Sequence, residues 1–423
     1  MKILLIGSGG REHALAWRLA QNEKVSRVYV APGNAGTATE DGVANVAITD
    51  IGELIVFAKT NEIYLTVVGP EAPLAAGIVD AFQAAGLRIF GPTKQAAQLE
   101  SSKDFAKQFM VRHGIPTSRY QTFADIAAAR AYITAEGAPI VIKADGLAAG
   151  KGVVVALTEA EALQAVDTIL GNAPAGARVV IEECMIGEEA SFICLCDGTT
   201  ALAFASSQDH KRIFENDEGP NTGGMGAYSP APVVTPEVHA KAMREVIMPT
   251  LRGMAAEGAP FTGFLYAGLM IDADGAPRVV EFNARLGDPE TQPILMRLKS
   301  DLLDLLDHAV AGTLDEITAD WDRRAALGVV LAASGYPENP RKGDVITGLN
   351  AKSVDANTKV FHAGTIARDG QIVSNGGRVL CVTALGDTVK LAAKVAYEGV
   401  GAIKFEGMQY RSDIGHRAFL KRD

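Results

Sequence analysis

The sequence predicts a multidomain protein of mixed α/β and α+β class: an N-terminal doubly wound parallel sheet, a mixed core carrying a small β-rich module, and a small β-rich C-terminal domain. Three observations predict it. The chain has 423 residues, and a prior of ~150 residues per domain gives about three domains. Short apolar runs alternate with helix-like stretches through the first hundred residues, each run closed by Gly or Pro. From about Lys103 that alternation gives way to β-rich segments with glycine loops.

Lys2–Ile6 is an apolar run ending in glycines, and Glu12–Gln21 reads as a helix. Val28–Ala31, Tyr64–Val68 and Leu87–Phe90 are further strands, closed by Pro32-Gly33, Gly69-Pro70 and Gly91-Pro92. This is the βα pattern of a parallel sheet, whose ligands sit at the carboxyl ends of the strands. Ser101-Ser102-Lys103-Asp104 opens an amphipathic helix with a capping signature, and Gly114-Ile115-Pro116 ends it. Residues 138–190 read as a β-rich module with one helix near Thr158–Leu170, and strands and helices then mix up to about Thr313. From Ala325 onward come strands and Gly turns, and Ser374-Asn375-Gly376-Gly377 before Arg378–Thr383 reads as a hairpin.

Composition narrows the function. Hydrophobic residues at 48% and charged residues at 21% suit a globular protein with a full core. A net charge of −10 leaves no general footprint for nucleic acid or an anionic membrane, so anionic ligands need local sites. Cys184, Cys194, Cys196 and Cys381 have neither C-x-x-C spacing nor nearby histidine pairs; they read as buried free thiols, not as zinc ligands or disulfides. No apolar run reaches the ~18 residues of a membrane span, and Met1-Lys2 leads straight into a strand, so the expected location is the cytoplasm.

Two segments carry most of the chemistry. Lys143 closes the strand Pro139–Ile142, and the loop after it holds Gly146, Gly150, Lys151 and Gly152. Such a loop folds over a polyphosphate, its backbone N–H groups donating while lysines neutralise charge. It is not a Walker A loop, because Gly152 follows Lys151 where Ser or Thr is required. A hairpin loop with an incidental lysine is the alternative. In the second segment, Glu281, Asn283 and Arg285 share one strand face by the period of two. A carboxylate and an amide oxygen, with phosphates completing the shell, suit Mg²⁺. Arg285 beside them suits charge stabilisation on a transferring phosphoryl group.

Other motifs are read against bland alternatives. Gly7-Ser8-Gly9-Gly10-Arg11-Glu12-His13 fails as a dinucleotide fingerprint: Glu12 stands where the third glycine belongs, and no acid ends the second strand. What remains is a turn at a helix N-terminus, suited to an anion such as a phosphate monoester with Arg11 nearby, or simply a tight turn. Val179–Ser191 runs from a strand into a turn dense in carboxylates, which can present backbone groups to an adenine edge and an acid to a ribose, or is a solvated turn. Of the seven histidines only His210, within Gln208-Asp209-His210-Lys211-Arg212, sits in a polar cluster of functional appearance. Asn221–Tyr228 is a glycine loop that approaches a ligand, or a plain turn. No convincing Ser-His-Asp or Cys-His set is present.

In this order the pieces resemble the ATP-grasp superfamily and, within it, the glycinamide ribonucleotide synthetase (phosphoribosylamine–glycine ligase) family. The resemblance rests on Gly7–His13, Pro32–Asn34, Gly69–Glu71, Lys143–Gly152, Asp209–Arg212, Thr222–Pro230 and Glu281–Gln292, spanning nearly the whole chain. It implies an N-terminal domain over 1–102, an ATP-grasp core over 103–322 with a small lid at about 120–190, and a C-terminal domain over 323–423. It also implies that Lys103 and Lys143 contact ATP phosphates under the loop 146–152. Glu182, with the backbones of Glu183 and Met185, would meet adenine, and Glu189, or alternatively Glu188, the ribose. Glu281 and Asn283 would ligate Mg²⁺, with Mn²⁺ as a substitute. Gly9, Gly10, Arg11, Asn34 and Glu71 would face phosphoribosylamine. Asp209, Gly224, Met225 and Asp288 would lie near the substrates, with Asp209 and Arg285 in the catalytic machinery. Leu265–Ile271 lacks the extra acid that many ATP-grasp enzymes bring to the metal, which leaves the number of metal ions open.

The implied reaction belongs to de novo purine biosynthesis: glycine is activated as glycyl phosphate by ATP and captured by the amine of 5-phosphoribosylamine. A monomer is expected, with a homodimer as the alternative, and no nucleic-acid or membrane partner. The rivals are an ATP-grasp ligase for another carboxylate and amine, a nicotinamide dehydrogenase, and a nucleotide sensor without turnover.

Overall fold

A computed structural model describes residues 1–147, 152–171, 173–174, 176–349 and 357–419. Five parallel strands form the N-terminal sheet in the order Val43–Asn45, Arg27–Pro32, Lys2–Gly7, Leu65–Val68, Ile89–Phe90. The strand order reverses at Lys2–Gly7, so the crevice beyond Gly7 and Val68 is the topological switch point of the sheet. Strand Val43–Asn45 has no counterpart in the sequence reading, because three residues carry no usable periodicity. The helix expected from Glu12 begins at Gly10.

The helix Lys103–Arg112 is capped as expected, Phe105 N donating to Ser102 Oγ at 3.1 Å. Next comes a four-stranded antiparallel sheet ordered Tyr120–Phe123, Val179–Glu183, Ile140–Ala144, Val153–Ala156. Helices Ile126–Glu136 and Glu159–Gly171 pack on it through Ala129, Ile133, Ala162 and Val166. The core sheet is ordered Ala201–Ala203, Glu188–Asp197, Thr262–Ile271, Pro277–Asn283.

A fifth sheet is assembled from distant segments: Gln208–Asp209, Gly226–Ser229, Ala325–Ala332, Arg378–Gly386, Thr358–His362. Its first two strands come from the middle of the chain, so the C-terminal segment is built directly onto the Asp209 and Gly226 loops. The hairpin expected at Ser374–Gly377 lies a few residues earlier. Thr365–Arg368 pairs with Gln371–Ser374 across Asp369-Gly370, both at positive φ (51° and 75°) as a two-residue primed turn requires. The cysteines are free thiols; Cys194, Cys196 and Cys381 are buried and Cys184 half-buried. Among the described residues no helix is long and apolar enough to cross a membrane.

Candidate active site

The core sheet, the lysine-bearing helix and the switch-point crevice meet at Glu281, Asn283 and Arg285. The predicted strand ends at Asn283, and Arg285 reaches back so that its NH2 donates to Asn283 Oδ1 at 3.1 Å. The same guanidinium bonds Glu71 Oε2 through Nε at 3.3 Å and pairs with Glu100 Oε1 at 2.7 Å. Arg285 thus ties the start of helix Glu71–Ala76, at the sheet's carboxyl edge, to the core sheet. Burial pushes the Glu100 carboxyl up despite Arg285. Burial also works to raise Glu71, but Arg285 and Arg11 overcome it and hold that carboxyl low.

Around Glu281 the field is cationic. Lys211 Nζ lies 3.8 Å from Glu281 Oε1 and bonds Glu189 Oε1 at 2.5 Å. Burial disfavours the Glu281 anion, yet Lys211, Lys143, Lys103 and Arg285 together keep its carboxyl below the usual range. Lys103 Nζ donates to Gly146 O at 2.8 Å, and burial with Lys143 nearby lowers its pKa. Lys143 Nζ donates to Val280 O at 3.1 Å and pairs with Glu182 Oε1 at 2.9 Å. Strand alternation divides the two ribose candidates: Glu189 meets Lys211, while Glu188 accepts from Gln208 Nε2 at 2.9 Å. Gly152 lies among the described residues; Gly150 and Lys151 lie outside them.

Glu182 is buried between two lysines. Its Oε2 accepts from Ser118 Oγ at 2.7 Å and lies 2.9 Å from Lys107 Nζ. Its Oε1, although 2.9 Å from Lys143, lacks the alignment of a hydrogen bond and stands as a sealed, unsatisfied acceptor. Glu183 accepts from Arg119 N at 3.0 Å and Arg278 NH1 at 2.9 Å; the Arg278 bond outweighs burial and lowers its carboxyl to about 2. Met185 is half-buried on the hinge that follows.

At the switch point the glycine turn is tied down by the protein itself. Glu12, whose side chain defeated the dinucleotide reading, folds back into the space left by two glycines. A Cβ on Gly7 would lie 2.4 Å from Glu12 Cγ, and one on Gly69 2.1 Å from Glu12 Oε1. Gly9 N donates to Glu12 Oε2 at 2.6 Å, and Arg11 N to Asp288 Oδ2 at 3.2 Å. The Arg11 side chain, expected near a substrate phosphate, turns inward to Glu12 Oε1 (2.5 Å) and Leu286 O (2.9 Å). Asn34 is also spent internally: Nδ2 donates to Ser8 O and His362 O, both at 2.9 Å, and Oδ1 accepts from Gly36 N and Thr37 N. Gly10 borders Asp288 and Gln292 from the core and Ala363 from the C-terminal segment.

Asp209 is buried, makes no side-chain hydrogen bond among the described residues, and is pushed up to about 8 by burial, with Glu290 and Glu189 adding to the rise against Lys211. The folded chain therefore holds a proton that an unfolded aspartate releases near 3.8. The stability this confers is full below that lower value and is lost as pH rises through about 8. Asp209→Asn is expected to flatten this dependence: between about pH 5 and 8 the wild-type unfolding free energy should fall relative to the variant's, by up to about 4 kcal/mol. A constant difference across that range would mean that the carboxyl titrates normally.

Two readings change character. His210 is fully buried, its Nε2 accepting from Gly415 N at 3.0 Å and its pKa lowered to about 4 by burial, so it supports the C-terminal fold. Met225 is fully buried in the C-terminal core with Tyr228, Leu327 and Val329, which leaves only its backbone to reach a ligand. Gly224 (φ +119°) admits Pro289; a Cβ there would lie 2.5 Å from Pro289 Cδ. Glu100, Lys107 and Arg378 are the additions of the structure, which also gives Lys211, read only as part of a polar cluster, its partners Glu189 and Glu281. Lys107 stands one helical turn after Lys103, a spacing that would have found it; Glu100 and Arg378 come from distant segments without a local signal.

Residues 1–100, 101–291 and 326–417 match, in turn, the N domain, the ATP-grasp (A) domain and the C domain of phosphoribosylglycinamide synthetase. The phosphoribosylamine–glycine ligase of Ralstonia nicotianae is 64% identical over 424 residues, covering 100% of both chains. The enzyme of that name from Xanthomonas campestris is 63% identical, covering 100% of this chain and 99% of its own. The crystal structure of phosphoribosylamine–glycine ligase from Thermotoga maritima shares 35% identity at a TM-score of 0.84, covering 98% of this chain and 100% of that one. The biotin carboxylase domain of Hydrogenobacter thermophilus 2-oxoglutarate carboxylase, in complex with MgADP, ADP and bicarbonate, shares the fold at 14% identity and a TM-score of 0.72, covering 97% of this chain and 91% of that one. With three domain matches in the family's order and full-length relatives above 60% identity, the chain belongs to the phosphoribosylglycinamide synthetase family.

Proposed function

We propose that this chain joins glycine to 5-phosphoribosylamine with ATP, giving glycinamide ribonucleotide, ADP and phosphate. The observation that carries the reading is full-length identity of 64% to a ligase named for those two substrates. The geometry supports it, because Arg285 links the ATP side of the site (Asn283) to the switch-point side (Glu71).

A carboxylate is a poor acyl donor because its leaving group would be oxide. A glycine carboxylate oxygen attacks the γ-phosphorus, ADP leaves, and the resulting acyl phosphate is attacked by the amine, which loses a proton as phosphate departs. Lys103 and Lys143 hold the phosphates, and Arg285 stabilises charge on the group in transfer. Glu182, with the backbones of Glu183 and Met185, is assigned to the adenine side, and Glu189 suits the ribose. Glu281 and Asn283 fit a hard divalent ion, because both offer side-chain oxygen. Mg²⁺, or Mn²⁺ in its place, would shield the phosphate charges there.

Two measurements test this. ADP release should require glycine and phosphoribosylamine together; release only with another carboxylate and amine would keep the ATP site and discard the substrates. Glu281→Gln should shift the Mg²⁺ concentration for half-maximal turnover upward by about tenfold, and an unchanged metal titration would place the ion elsewhere.

A further inference from the structure

We infer that Arg378, the first residue of strand Arg378–Gly386, binds an oxyanion of a non-nucleotide substrate: the carboxylate of glycine or the phosphate of phosphoribosylamine. The inference rests on the substrate reading above and gives the C-terminal segment a direct part in it.

One nitrogen of the guanidinium is committed to the protein. NH1 donates to Asp288 O at 2.5 Å and Gly223 O at 2.8 Å, with Gly224 O at 3.5 Å and Asp288 Oδ1 at 3.7 Å. These acceptors belong to the glycine loop and to the turn just after Arg285, so NH1 fixes the group where both meet. Gly223 lies against the flat face of the guanidinium. A Cβ at 223 would stand 2.8 Å from Cζ, 2.9 Å from NH2 and 3.1 Å from Nε, nearly equidistant and so above the plane.

The in-plane edge formed by Nε and NH2 is unclaimed: neither nitrogen has a hydrogen-bond partner among the described residues. Nor is either sealed from solvent, the side chain being 23% exposed. An arginine with a purely structural role would spend this edge on the protein. Two parallel N–H vectors in a plane match two oxygens of a carboxylate or phosphate. The site adjoins the reacting groups, since Asp288 links Arg378 to the Arg11 amide at the switch point.

The test is Arg378→Lys, which keeps the charge and removes the two-pronged edge. Equilibrium binding of glycine and of ribose 5-phosphate would be measured, together with KM for each substrate. One of the two ligands should bind at least about tenfold more weakly, with KM for ATP unchanged. Weaker glycine identifies the carboxylate, and weaker ribose 5-phosphate the phosphate. Unchanged affinity for both overturns the inference. Tyr336→Phe removes the hydroxyl that accepts from Gly223 N at 3.0 Å, loosening the loop while keeping the Arg378 side chain itself. If that variant weakens the same ligand equally, Arg378 is only a buttress and the inference falls. Wild-type turnover reads the substrate assignment separately: its absence, with oxyanion binding still lost in Arg378→Lys, would discard the substrates and keep the site.

Discussion

Replacing Arg285 by alanine is expected to lower kcat by roughly 10²-fold or more, a few kcal/mol of transition-state stabilisation. The guanidinium contacts Asn283, Glu71 and Glu100, so its loss removes a charge from the reacting centre and also leaves Glu100 without its cation. The Glu100 side chain is 7% exposed and its pKa is already raised by burial, so it answers the loss by protonating. That limits the stability cost to about 1–3 kcal/mol. The two effects separate in the double variant Arg285→Ala/Glu100→Gln, which should regain most of the denaturant midpoint and none of the turnover. Recovery of kcat in the double variant would reduce Arg285 to a structural counter-ion. Near-normal turnover in the single variant would remove it from the mechanism.

The parts of this site that were legible in sequence share one property: their geometry is local. Glu281 and Asn283 were found because a strand repeats every two residues, whereas Arg285 lies beyond the strand's end and meets Asn283 by reaching back, a contact the period of two does not explain. The N-terminal sheet was legible because each long strand ends in Gly or Pro, whereas Val43–Asn45 has too few residues to show a pattern. Glu100 and Arg378 were invisible for the opposite reason. They act across 185 and 155 residues of chain, on Arg285 and Gly223, and nothing near either residue marks it. Arg11 and Asn34 lie at the switch point, but their side chains turn into the protein rather than toward a ligand. Both are consumed in holding the turn, because a buried polar group must find partners before it can serve a ligand.

The same requirement governs Glu182. The sequence reading gave it adenine; the structure adds that it is the counter-ion of two buried lysines, at 2.9 Å each from Lys107 and Lys143. Lys107, Lys143 and Glu182 are all at most 5% exposed, so solvent screens the pairs little. Glu182→Ala should therefore cost about 3–5 kcal/mol, read as a shift in denaturant midpoint. Removing the second cation as well, in Glu182→Ala/Lys107→Met, should return part of that loss, because one buried charge is easier to accommodate than two. Burial already lowers Lys107 to about 8 in the presence of the carboxylate. Without Glu182 it falls further, and a lysine depressed in the folded state makes stability rise with pH between its folded and unfolded values. The deficit of Glu182→Ala should accordingly narrow as pH is raised from about 6 to 8. A deficit that is independent of pH and untouched by Lys107→Met would overturn the reading of Glu182 as the counter-ion of the two lysines. If both responses are seen, Glu182 is the counter-ion that keeps Lys107 and Lys143 charged in the interior.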